Sequence, residues 1–370
     1  MTRTRRSFLA GSAGTLSGLM FCGCGLLHAR PGYAQAAAPA APRPAPAPVR
    51  RRARVKVIDT HTHCFFQQGL DLMGPDARSL LPPVKGIPEH FIVLDERLRA
   101  MDAQGVDMQV LSINPFWYRK DVDTARAICN LHNEKLAELC AQKPDRFAAF
   151  ASLPLQNPEL AAQTLEQAVR KYRLRGAAIG ASFAGQDFSD PKFHPVWAKA
   201  EELGAVLFIH PQSTPELGKR FAGNGWLSNV IGNPLDTTIA LNKLIFEGTL
   251  DKFPGLKVLA AHGGGYFGSY APRSDRSCYV SPTNCNPEIA LRKKPSEYLK
   301  QIYVDSLVFT GEGLRHLVAE AGVSQVMIGT DHPIPWEEHP VDHVLNAPLT
   351  DAQKDAILGL NAARLLNIRT

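Results

Sequence analysis

Val55-Lys56-Val57-Ile58-Asp59-Thr60-His61-Thr62-His63 is the stretch on which the fold turns. Its apolar, β-branched start over residues 55–59 has no helical period and predicts a strand that runs into two histidines. Side chains on a strand alternate faces, so His61 and His63, two apart, point the same way. Seven more short runs rich in Val, Ile and Leu follow, at 107–113, 146–153, 176–180, 205–210, 256–262, 301–305 and 326–331. Between most of them lie stretches of helical period, such as 95–104, 124–143, 159–172 and 237–250, the pattern of a parallel sheet with crossover helices. Eight β/α units in one chain predict an α/β fold, the (β/α)8 TIM barrel, with its active site at the C-terminal ends of the strands. A doubly wound open sheet is the rival, but no GxGxxG follows the first strand. Residues 64–94, broken by Pro82, Pro83 and Pro88, read as a small insertion after strand 1, beside the mouth of the site.

Upstream of the barrel, Thr4-Arg5-Arg6-Ser7-Phe8-Leu9, a mildly apolar stretch to Leu27 and Ala34-Gln35-Ala36 have the three parts of a signal peptide. Residues 1–36 are therefore expected to be a twin-arginine-type signal, cut after Ala36, and residues 37–54 an Ala/Pro/Arg-rich linker that cannot bury a core. Residues 55–370 form the barrel domain. This organisation predicts a periplasmic or otherwise exported protein whose precursor engages the twin-arginine export machinery. The net charge of +6 misleads, because residues 1–54 hold nine arginines and no acid, which leaves −3 for the rest. A basic domain suited to nucleic acid is thereby excluded. The five cysteines beyond the leader show no CxxC spacing, so neither a zinc finger nor a disulfide scaffold is implied. Cys278 and Cys285 could pair in an oxidising compartment.

The chemistry gathers at strand ends. Strand 1 ends in His61 and His63, strand 5 in Ile209-His210-Pro211, strand 6 in Ala261-His262-Gly263 and strand 8 in Thr330-Asp331-His332. Burying several ionisable groups together costs several kcal/mol unless a cation or a hydrogen-bond network offsets it, as an order of magnitude. His61, His63, His210 and Asp331 are the candidate metal ligands. Imidazoles with one carboxylate suit Zn²⁺, with Mn²⁺ or another divalent transition metal as substitutes, and the lack of cysteine ligands argues against a structural zinc site. His262, followed by three glycines that let a substrate approach closely, reads as the acid/base, with a fifth ligand as the other reading. Asp305, at the end of strand 7, is a candidate orienting residue, with a structural hydrogen-bond role as the other reading.

Ile58-Asp59-Thr60-His61-Thr62-His63, Arg97-Leu98-Arg99-Ala100-Met101-Asp102, Ser152-Leu153-Pro154-Leu155-Gln156, Phe208-Ile209-His210-Pro211, Ala261-His262-Gly263-Gly264-Gly265 and Gly329-Thr330-Asp331 occur in this order. In this, residues 57–368 resemble the amidohydrolase superfamily, in the branch typified by aminocarboxymuconate-semialdehyde decarboxylase. The resemblance implies metal-dependent, non-oxidative loss of CO2 from an aromatic or dienoic carboxylic acid. It makes His262 and Asp331 the catalytic pair, and it implies a homodimer in which Arg273 reaches across the interface to a small-molecule carboxylic acid. Gln212 stands where the decarboxylase has tryptophan and is taken as a substrate-binding residue. The alternative chemistry on the same site is hydrolysis or hydration of a lactone, ester or enol acid.

Overall fold

The computed structural model describes residues 55–75, 77, 91, 93–212 and 214–369. The expected signal and linker lie outside the described residues, as do residues 76, 78–90 and 92 of the insertion. Its described part includes the short helix α1 (Gln67–Met73).

Eight parallel strands follow in chain order: β1 (Ile58–His63), β2 (Met108–Ser112), β3 (Phe147–Ala149), β4 (Gly176–Ile179), β5 (Val206–Ile209), β6 (Lys257–Ala260), β7 (Ile302–Asp305) and β8 (Val326–Met327). Ladders join β1-β2-β3 and β4-β5-β6-β7-β8. Single parallel bridges span both seams, Ala151 to Ala177 between β3 and β4, and Thr62 to His332 between the chain after β8 and β1. At the second seam Thr60 N donates to Ile328 O at 2.9 Å and Asp331 N to His61 O at 2.8 Å. Each strand thus neighbours the next around the ring, as the barrel requires. Strand 8 was expected to run to 331. It leaves the β7 ladder earlier because Ile328 N turns to Ile357 O at 2.8 Å.

The strand pleat sorts side chains into two layers. Val206 and Phe208 on β5, Leu259 on β6 and Ala261 just after it fill the barrel interior with Ile58, Val110 and Met327. Leu207, Ile209, Val258 and Ala260 face the helices instead. Among these helices are α2 (Leu94–Gln104), α3 (Val122–Gln142) and α4 (Pro158–Arg170). Asn157 caps α4 by accepting from Leu160 N, Pro158 sits in its first turn, and Ala161, Leu165 and Ala168 make its buried face. The helix expected over 237–250 starts earlier, as α5 (Gly232–Phe246), and Gly248 at φ +72° ends it before a separate turn at Thr249–Lys252.

β1 carries the detail that aims the site. Its register with β2 passes from Asp59 opposite Gln109 to Thr62 opposite Leu111, so β1 holds one extra residue there. A one-residue bulge moves the following side chains to the other face. Ile58 therefore packs inside, and after the bulge it is His61 and His63, not Thr60 and Thr62, that crown the interior. Cys278 and Cys285 are joined as a disulfide, with Cα atoms 5.7 Å apart.

Candidate metal centre

Four ligand atoms, one each from His61, His63, His210 and Asp331, all lie within 4.8 Å of one another, and all four residues are buried. His63 Nε2 is 3.2 Å from both His61 Nε2 and His210 Nε2. Asp331 Oδ1 is 2.9 Å from His63 Nε2, 3.2 Å from His61 Nε2 and 3.9 Å from His210 Nε2. The opposite ring nitrogens show which tautomers fit. His61 Nδ1 is 2.7 Å from Asp305 Oδ2, and His63 Nδ1 is 3.0 Å from Ser112 Oγ, whose own proton goes to the Thr62 carbonyl at 2.8 Å. Both Nδ1 atoms therefore donate, which turns the Nε2 lone pairs of His61 and His63 toward each other. Two such lone pairs repel at this distance unless a cation lies between them. Ligands about 2.1 Å from one ion sit roughly 3.0–3.4 Å apart at octahedral to tetrahedral angles. The donor set thus fits a divalent metal.

Charge on these groups follows the same logic. Burial opposes ionisation of Asp331, yet His61 and hydrogen bonds from His262, His61 and His63 hold its carboxyl well below the usual carboxylate range. Burial drives His63 and, more strongly, His210 toward the neutral, ligating form. His61 differs: burial lowers its pKa, but the carboxylates of Asp331 and Asp305 outweigh that and raise it to about 10. A metal ion in place of the proton satisfies the same acceptors.

Asp305 reaches both halves of the site. One oxygen accepts from His61 Nδ1 and from His262 N at 2.9 Å, and the other from Gly263 N at 2.8 Å and Leu307 N at 3.0 Å. Room for the His61–Asp305 pair is left by Gly329, where a Cβ would stand 2.6 Å from Asp305 Cβ and 2.8 Å from His61 Cβ. Asp305→Asn keeps the shape but weakens the bond to His61. Metal affinity is expected to fall about 10- to 100-fold, read by competition with a chromogenic chelator. An unchanged affinity would confine Asp305 to holding the loop.

His262 does not belong to the four-ligand group. Its Nε2 is 3.8 Å from Asp331 Oδ2, and its ring lies 5.2 Å from that of His61 and 5.3 Å from that of His210. It stands at φ +56°, and Asp331 at φ +60°, in the left-handed region that costs a non-glycine residue about 1–2 kcal/mol. Both side chains owe their aim to that turn.

Several contributors were not singled out from the sequence. Trp336 Nε1 donates to Asp331 Oδ2 at 2.8 Å, leaving Oδ1 to face the imidazoles. Ser112 fixes His63, as above. The buried Arg97 guanidinium donates to Gln109 Oε1 at 2.7 Å and to the His63 carbonyl, bracing the end of β1. A tryptophan five residues beyond a ligand and a serine ending a strand are weak signals alone.

Two cavities flank the ligands. One, of about 220 Å³, has His63, His210 and Asp331 in its wall with Phe65, Phe116, Asn114 and Gln212. The Phe65 and Phe116 rings are nearly parallel, 5.9 Å apart at 14°. The other, of about 190 Å³, is walled by His262, Tyr266, Phe309 and Trp336. The loop bearing Gln212 is tied by its N–H to Asp236 Oδ2 at 3.1 Å. Arg273 is not brought to either cavity: it is exposed and lines a separate cavity of about 470 Å³ with Phe246 and Val280.

A family model described as amidohydrolase matches residues 58–368. The 2-amino-3-carboxymuconate-6-semialdehyde decarboxylase of Dictyostelium discoideum is 32% identical over 278 residues, covering 74% of this chain and 76% of that protein. The crystal structure of 5-carboxyvanillate decarboxylase from Sphingomonas paucimobilis superposes with a TM-score of 0.77 at 26% identity, covering 85% of this chain and 100% of that one. A dihydroxybenzoic acid decarboxylase from a Polaromonas species, solved with bound manganese and the inhibitor 2-nitroresorcinol, gives a TM-score of 0.75 at 25% identity, over 85% of this chain and 98% of that one.

Proposed function

The chain belongs to the amidohydrolase family, and on that premise we propose that it is a metal-dependent, non-oxidative decarboxylase of an aromatic or dienoic carboxylic acid. The observation that carries this reading is the placement of His262: beside the four metal ligands, outside their set, and in the wall of a ring-lined cavity. The named relatives are decarboxylases of such acids. Zn²⁺ is the proposed resident ion on its donor set, with Mn²⁺, present in the Polaromonas enzyme, as the substitute. Held by His61, His63, His210 and Asp331, it would supply positive charge to the oxygens of the bound acid.

The protein's own groups do the rest. His262 Nε2 stands 3.8 Å from Asp331 Oδ2, on the ligand side of the cavity wall. His262 delivers that proton to the carbon bearing the carboxylate, the bond from that carbon to the carboxylate breaks, and its electron pair returns to the ring as CO2 leaves. In the adjoining cavity, which shares Asn229 and Asn233 with that of His262, Phe65 and Phe116 offer flat apolar walls to a ring, and Gln212 and Asn114 offer hydrogen bonds to its substituents. Incubation of the metal-loaded protein with hydroxybenzoates, carboxyvanillate and muconate-type acids tests the reading by CO2 release.

The active unit is proposed to be a homodimer in which the partner's Arg273 meets the substrate carboxylate. No lysine or arginine among the described residues lines either metal-side cavity. Near Arg273, Tyr270, Tyr279 and Val280 are 63%, 75% and 73% exposed, an apolar surface that association would cover. Arg273→Ala should raise KM for the acid about 10- to 100-fold with metal content unchanged, the loss of a bidentate charged pair. A fully active monomer by sedimentation would refute the arrangement. The exported location is proposed on the leader alone, and a mature protein beginning after Ala36 in the periplasmic fraction is the expected finding; an uncut cytosolic chain would contradict it.

A further inference from the structure

A cavity of about 740 Å³ lies where β1 to β4 begin, at the opposite end of the barrel from the metal. Lys56 precedes β1, Lys171, Arg173 and Arg175 occupy the segment leading into β4, and Arg369 follows the last helix, Asn361–Leu366. All five line the cavity, with Asp145 as the single acid. The domain as a whole is slightly acidic, so this concentration of cations is not a by-product of its net charge.

None of the five makes an ion pair with a carboxylate among the described residues. Lys171 lies over the Tyr172 ring at 4.9 Å. Arg175 is half-buried, and burial disfavours its charge. Like charges so gathered repel, and two or more negative groups placed among them would relieve that repulsion. Guanidinium forks match phosphate oxygens bidentately, while lysines add point charges without directional demand. Recognition rests on charge and on guanidinium geometry.

We propose that this cavity binds a small organic molecule carrying two or more phosphate groups, held by Lys56, Lys171, Arg173, Arg175 and Arg369. The site is distant from the metal, so its occupancy stabilises the folded domain by mass action and leaves the chemistry at His262 untouched.

The test uses the full, metal-loaded chain, titrated calorimetrically at low salt with fructose 1,6-bisphosphate as a weakly chelating probe and fructose 6-phosphate as its monophosphate counterpart. The expected result is saturable binding, at least about 10-fold tighter for the bisphosphate and weakening as salt is raised. Arg173→Ala with Arg175→Ala, and separately Lys171→Ala with Arg369→Ala, should each weaken it about 10-fold or more. The same variants should keep the metal content and the melting temperature of the probe-free protein. Alanines at Arg50, Arg51 and Arg52 should leave binding intact. Absence of saturable binding, equal affinity for the two sugars, survival in both pair variants, or loss only in the Arg50 to Arg52 variant would overturn the proposal.

Discussion

His262→Ala is expected to lower kcat by about 10²-fold or more while the protein keeps its full complement of metal. The expectation rests on position. The four ligands form a closed set without His262, whose Nε2 faces Asp331 Oδ2 at 3.8 Å, and the imidazole is a wall of the cavity beside them. Removing it takes away the proposed proton donor and leaves every ligand in place. Elemental analysis alongside steady-state kinetics separates the two roles. A variant that loses metal together with activity would make His262 a fifth ligand.

The second large effect concerns the ligands themselves. His61→Ala, His210→Ala or Asp331→Ala should abolish stoichiometric metal binding, and activity with it, by more than the roughly 10- to 100-fold expected of a residue that only supports a ligand. Each substitution leaves three of the four donors, and the neighbours remain buried without the charge that offsets their desolvation. The wild-type melting temperature should rise when metal is added to metal-free protein, and the three variants should not respond. A variant that still binds the ion tightly would remove its residue from the set.

Much of this was legible in the sequence because a barrel places its chemistry at strand ends. Three apolar runs that stop at His or Asp locate the four ligands, and a fourth locates His262, without any knowledge of the loops. Alternation puts His61 and His63 on one face but does not say which face. Counted strictly from Ile58, alternation would turn Thr60 and Thr62 inward, and only the extra residue in β1 brings the histidines there. Bulges leave no reliable mark in a single sequence. His262 is a harder case: strand phase groups it with Val258 and Ala260, which face the helices, and a left-handed backbone turns it back over the barrel. The short extent of β8 reflects the same thing, a backbone that leaves one neighbour for another to aim Asp331.

Residues that act through others were the least visible. Ser112 matters through its hydrogen bond to His63, made across the fold, and Trp336 through its bond to Asp331, five residues back. Asp305 stood out only as a strand-end carboxylate. Its contacts with His61 Nδ1 and with the backbone at His262 and Gly263 make it the link between the metal side and the proposed proton donor.

The most direct test is the stoichiometry of the reaction on an accepted acid, with CO2 and the product measured together in water labelled with both deuterium and heavy oxygen. The account predicts one CO2 released per product formed, a product shorter by that carbon, and a solvent-derived hydrogen at the carbon that carried the carboxylate. A product that has gained the elements of water and kept its carboxylate, or no turnover of the acid panel by fully metal-loaded protein, would contradict it.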